Sequence, residues 1–144
     1  MTGYLPGDLL ARRKGLVTHY GVALANGRVL HNMPGRGEHV SSAAEFSRGH
    51  RVRVTPQSFS ERRRTLRSAG TAVRELQAGT RRHYSLLDNN CEHTVHRVAE
   101  GEARSPQLRG WLLGAGLAAA TLAVTRHPGW AAASFALGQK VARR

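Results

Sequence analysis

Alternating apolar runs, a capped amphipathic stretch and an uncharged alanine-rich C-terminus predict an α+β fold. It should hold a small antiparallel sheet packed against helices, followed by an apolar helical segment. Residues 1–55 carry the alternation, residues 56–105 the helical pattern, and a change of character follows near residue 108. The expected organisation is a folded domain over 1–107 and a helical tail over 108–144.

Four stretches in the first section read as strands: "DLLARR", "LVTHYGVALA", "RVLHNM" and "HRVRVT", each broken off by glycine or turn residues. In the second section, Thr55-Pro56 and the capping box Ser58-x-x-Glu61 are helix starts, with Phe59, Leu66, Val73 and Leu76 recurring on one face. Gly79 should close that helix. Another should run from about Cys91 to about Gly101, capped by Asn89 or Asn90, with Val95, Val98 and Ala99 turned to the sheet.

The last section, "GWLLGAGLAAATLAVT", carries no charge until "RHP" interrupts it, and "GWAAASFALG" resumes it. Sixteen uncharged residues are fewer than the roughly 20 of a spanning helix, and Gly110 with Gly114 permits close helix contact. Two readings fit: a pair of Ala-rich helices packed on the domain or on each other, or a membrane-seated hairpin kinked at Pro128 and flanked by Arg109, Arg126, Arg143 and Arg144.

The charge is lopsided, with 22 Lys+Arg against 9 Asp+Glu for a formal +13. Such a field attracts polyanions, either nucleic acid or an anionic membrane surface. Only eight aromatics are present and no recognition-helix motif stands out, which argues against a nucleic-acid partner. The arginines of "ERRRTLR" fall on the solvent face of the first long helix, where they could meet anionic headgroups. The chain begins without the apolar run of a signal peptide, and its single cysteine cannot form an internal disulfide. Both predict a reducing, bacterial cytoplasm, with 108–144 as the segment that would hold the protein at a membrane.

That cysteine, Cys91, lies in polar company, "LLDNNCEHTVHRV". A thiol in the first turn of a helix meets unsatisfied N–H groups and the positive end of the helix dipole, which should lower its pKa. Two of the eight histidines, His19 and His31, sit inside strand-like runs on either side of "ALANGRVL". A two-residue Asn26-Gly27 turn would put them on opposite faces. A three-residue loop, Ala25-Asn26-Gly27 with Gly27 left-handed, pairs Gly21 with His31 and leaves His19 diagonal to it on one face. The second register is expected, because Gly21 and Ala23 would then leave room for the Cys91 helix to approach. Zinc sites usually need four well-spaced ligands, and Cys91, His93 and His96 do not supply them, so neither metal nor cofactor is expected. Glu92 and His93 should anchor the helix.

"PGDLLARR", "THYGVALANGRVLHN", "YSLLDNNCEHTVHRV" and "GEARSPQ" resemble the lecithin:retinol acyltransferase family, within the NlpC/P60 papain-like superfamily, over roughly residues 5–107. The resemblance implies a permuted papain-like fold with histidine before cysteine. It also implies action on acyl esters of phospholipids through a thioester, as phospholipase or acyltransferase. Cys91 would be the nucleophile, His19 the base and His31 the orienting residue. Tyr20 stands where many members carry tryptophan, and Thr94 where an aromatic is common. A related peptidase or amidase acting on cell-wall peptides, which would need export, is one rival reading. A non-catalytic basic module binding membrane or nucleic acid is another.

Overall fold

The computed structural model describes residues 3–15, 17–85, 90–101 and 106–141, and these form two compact units, one within 1–104 and one within 105–144. The first unit is α+β. Its strands β1 (Leu9–Lys14), β2 (Val17–Ala23), β3 (Arg28–Met33), β4 (Gly37–Ser42) and β5 (Val52–Thr55) form one antiparallel sheet in the order β4-β3-β2-β1-β5. Helix α1 (Ala43–Ser47) links β4 to β5, and α2 (Phe59–Gln77) and α3 (Cys91–Glu100) follow the sheet. The four strands expected from apolar alternation are present. Strand β4, "GEHVSS", was not expected, since it holds one apolar residue; its pairing with β3 supplies what its composition does not.

The β2–β3 hairpin has the three-residue loop. Ala25–Gly27 form a single 3₁₀ turn with Asn26 and Gly27 both left-handed, and Gly21, Val22 and Ala23 pair with His31, Leu30 and Val29. The reason for that register differs from the expected one. A Cβ on Gly21 would lie 2.7 Å from Val29 Cγ1 and 2.9 Å from Phe46 Cε2. The space is therefore taken by α1 and its Phe46, and α3 packs on the other face of the sheet.

Two hydrophobic layers result. On one face Val22 and Leu30 meet Ala69 and Ala72 of α2 and Val95 and Val98 of α3. On the other, Leu10, Ala23 and Val29 close over Phe46. Helix α2 begins at the expected capping box: Ser58 Oγ accepts from Glu61 N, and Glu61 Oε2 accepts from Ser58 N. Its buried stripe is Thr65, Ala69 and Ala72, flanked by Val73 and Leu76. Phe59 is 72% exposed instead of lying in the core, and it carries the Arg63 guanidinium over its ring. The helix closes as expected, with Gly79 N bonding Leu76 O and Thr80 N bonding Glu75 O.

Asp8 joins the start of β1 to the start of α2. Its carboxylate accepts from Leu5 N, Gln57 N and Arg62 Nη1 at 2.9–3.2 Å. Burial pushes its pKa up, but these three donors outweigh burial and hold it below the ordinary carboxylate value.

The second unit is a helical hairpin of α4 (Pro106–Thr125) and α5 (Pro128–Val141). Pro128 does not kink a helix; it takes the first position of α5, where a missing N–H costs nothing. The helices touch at glycines, since a Cβ on Gly138 would fall 2.7 Å from Gly114 Cα. Thr121 Oγ1 donates to Ser134 Oγ at 2.8 Å, and the Trp111 and Phe135 rings meet edge to face. Leu112, Leu117, Leu122, Val124, Trp130 and Leu137 are exposed within the unit. Over Leu108–Thr125, α4 is long and apolar enough to cross a membrane by length and composition. Arg143, Arg144 and Asn89 lie outside the described residues.

Candidate functional site

His19 on β2 and His31 on β3 lie on one face of the sheet and share a hydrogen bond of 3.0 Å between His19 Nε2 and His31 Nδ1. The far nitrogen of His31, Nε2, lies 2.9 Å from Ser41 Oγ on β4, and that hydroxyl donates to Ser42 O at 3.1 Å. These contacts fit a directed relay: with the Ser41 proton on Ser42 O, Ser41 accepts from His31 Nε2–H, and His31 Nδ1 accepts from His19 Nε2–H. In that tautomer His19 Nδ1 carries the lone pair that a base needs.

The surroundings keep His31 neutral. It is buried, and burial together with the nearby His39, His19 and Arg12 takes its pKa down from 6.5 to about 3. The His39 ring centroid stands 4.2 Å from that of His31, directly across the β3–β4 ladder. Phe46 stacks on His19 at 5.3 Å and meets His31 edge-on at the same separation, so one aromatic ring backs both imidazoles. Arg12 is the cross-strand partner of His19 and lies over the Phe46 ring.

Cys91 opens α3, as expected. Asn90 is the cap: its Oδ1 accepts from Glu92 N and His93 N, while His93 Nδ1 accepts from Asn90 N. His93 therefore anchors the helix start. His96 instead bonds Glu100 at 3.0 Å, one turn further on. The β2–β3 ladder ends at Gly21–His31 although β2 extends back to Val17. The thiol sits at the edge this leaves. Its Sγ donates to Thr18 O at 3.9 Å and receives the backbone N–H of Tyr20, so it touches the main chain on both sides of His19.

The expected depression of the thiol pKa is not found. Burial pushes Cys91 above its ordinary value and Glu92 adds to the rise, while the N–H groups of Tyr20, Glu92 and Cys91 itself pull the other way. Desolvation outweighs the helix N-terminus because Cys91 is only 8% exposed.

A polar tether fixes α3 to the sheet from within. Thr94 Oγ1 donates to Glu38 Oε2 at 3.1 Å and receives Asn32 Nδ2 at 3.4 Å, and Arg97 pairs with the same Glu38 oxygen. Thr94 and Asn32 are fully buried. This gives the threonine at position 94 a purpose that an aromatic could not serve. Sequence reasoning missed Ser41, Phe46 and Glu38. All three depend on β4 and α1, whose residues show no strong periodicity.

A sequence model of a family described as "Lecithin retinol acyltransferase" matches residues 3–104. The chain is also 29% identical over 136 residues to lecithin retinol acyltransferase of Bos taurus, the match covering 74% of this chain and 59% of the relative. The chain thus spans about three-fifths of the length of that curated relative.

Proposed function

This chain belongs to the lecithin retinol acyltransferase family, and on that premise we propose that it is a cysteine-dependent acyltransferase or phospholipase. The substrate is an acyl ester of a phospholipid, the nucleophile Cys91, the base His19 and the orienting residue His31. The observation that carries this reading is the hydrogen-bonded row Ser41–His31–His19, which occupies His19 Nε2 and ends on the strand that the Cys91 thiol touches.

In the first half-reaction His19 Nδ1 takes the thiol proton, and the sulfur attacks the ester carbonyl carbon. The imidazolium that forms keeps its Nε2–H on the neutral His31, which cannot compete for the proton because its own pKa is about 3. The C–S bond forms, the ester C–O bond breaks, and His19 returns its proton to the departing alkoxide. The backbone N–H of Cys91, which the Asn90 cap does not take, is the donor for the carbonyl oxygen as it gains charge. In the second half-reaction an acceptor hydroxyl or water gives its proton to His19 and attacks the thioester; the new C–O bond forms, the C–S bond breaks, and His19 returns the proton to the leaving sulfur. A thiol whose pKa is raised in the free protein suits this scheme, since the thiolate then forms with substrate present instead of standing exposed to oxidation.

The apolar hairpin α4–α5 holds the protein at a membrane, where such substrates reside. Its outward leucines, valine and tryptophan support that role, as does the excess of arginine. Turnover of a fluorogenic phospholipid by wild type, Cys91→Ala and His19→Ala tests the assignment. Loss of turnover in both variants is expected; turnover surviving either one sinks it.

A further inference from the structure

Arg12 plays no part in that scheme, yet it lies inside the site. It is 5% exposed, and its Nε has no hydrogen-bond partner. Among the described residues no carboxylate pairs with it. It stands opposite His19 in the β1–β2 ladder, with its guanidinium 5.8 Å above the Phe46 ring that backs both imidazoles. Burying an unpaired cation is costly, and buried charges are ordinarily paired. A second cation compounds the cost. Arg48, the exposed left-handed residue ending α1 two positions after Phe46, lies near enough to oppose the Arg12 charge, whereas Cys91 lies near enough to favour it. A buried arginine near Cys91, opposed by a second arginine and paired with no carboxylate among the described residues, makes a site suited to an anion.

We infer that Arg12, with Arg48 in support, binds the phosphate group of the acyl donor and so selects phospholipids over neutral esters. A guanidinium fork matches two phosphate oxygens at once, and its cation–π contact with Phe46 holds it ready without filling its N–H groups. The donor's identity rests on the acyl-transfer reading; the anion site does not.

The test measures affinity on the full chain carrying Cys91→Ala, with and without Arg12→Met. The probes are dodecylphosphocholine and uncharged dodecyl maltoside, both below their micellar concentrations, and inorganic phosphate. Arg12→Met is expected to weaken dodecylphosphocholine about 10- to 100-fold, as loss of charged hydrogen bonds should, with a loss on the maltoside at least tenfold smaller. Arg48→Gly, at a left-handed position that glycine fits, should weaken the phosphocholine less, and Arg12→Lys should recover part of the affinity. Equal losses on both amphiphiles, or none, overturn the inference. Arg12-dependent binding of inorganic phosphate as tight as that of the amphiphile assigns the site to free phosphate and overturns the lipid assignment. With active protein, Arg12→Met should raise KM for phosphatidylcholine far more than for diacylglycerol; a matching fall in kcat on both would instead place Arg12 on the reacting atoms. A chain that turns over no ester still yields the affinities, so the two proposals fail separately.

Discussion

His19 Nε2 and His31 Nδ1 share a hydrogen bond of 3.0 Å, from one central strand to the next. In the proposed site a neutral imidazole thus takes the place where many cysteine and serine hydrolases put a carboxylate. In the proposed relay the direction of that hydrogen bond follows from the Ser41 hydroxyl, two strands away, giving its proton to Ser42 O.

Removing Ser41's hydroxyl should therefore impair His19 without touching it. Ser41→Ala leaves His31 free to adopt the other tautomer, and a loss in kcat of about 5- to 10-fold with little change in KM is expected, the worth of one net hydrogen bond. Steady-state kinetics on the variant measures it. An unchanged kcat would mean that the tautomer is fixed by other means.

At His31 the chemistry of the replacement should matter more than its size. Gln offers an acceptor oxygen for His19 Nε2–H, whereas Leu leaves that donor buried and unpaired. His31→Leu should lose about 10- to 100-fold in kcat/KM, and His31→Gln clearly less. Equal losses would show that the hydrogen bond does not orient the base.

His31 also makes stability depend on pH. Its pKa of about 3 when folded lies below the ordinary 6.5 of an unfolded chain, so the unfolded state binds more protons between those values. The contribution is complete above about pH 6.5 and is lost as pH falls toward 3, at up to about 1.4 kcal/mol per pH unit. Denaturant midpoints followed from pH 7 to 4 should fall, and should fall less steeply in His31→Gln. Identical slopes would show that His31 is not held neutral.

Asp8 acts far from the chemistry. Its carboxylate takes donors from Leu5, Gln57 and Arg62, so Asp8→Ala strands two backbone N–H groups and should cost about 2–4 kcal/mol, at the scale of hydrogen bonds to a charged group. Chemical denaturation reads this directly. Stability within about 0.5 kcal/mol of wild type, typical of an exposed site, would remove Asp8 from the architecture.

The sequence predicted some of this well, and the reasons differ by element. The hairpin register followed from loop length and from which residues tolerate a left-handed conformation, both local properties, so Gly21 was found opposite His31. The caps of α2 and α3 followed from local side-chain chemistry in the same way. Strand β4 was missed because a polar segment pairs only when a neighbour is supplied, and Ser41 was missed with it. Periodicity puts Phe59 on one face with Leu66, Val73 and Leu76, but the sheet admits the small residues Thr65, Ala69 and Ala72 and leaves Phe59 exposed. The Cys91 pKa was misjudged for the same kind of reason: the helix terminus is visible in the sequence, but the burial that opposes it is a tertiary fact.

The hairpin α4–α5 depends on close approach at Gly114 and Gly138. Gly138→Leu should force the helices apart, and cell fractionation should then show altered membrane retention relative to wild type. Unaltered retention, with the pair still formed by cysteine cross-linking, would show that the contact is dispensable.

The most direct test of the central claim is the intact mass of the protein, followed by peptide mapping, after brief exposure to phospholipid. The account predicts a hydroxylamine-labile acyl adduct on Cys91 that fails to accumulate at the same rate in His19→Ala. Turnover of the phospholipid with Cys91 never acylated, or with the adduct on another residue, would contradict it.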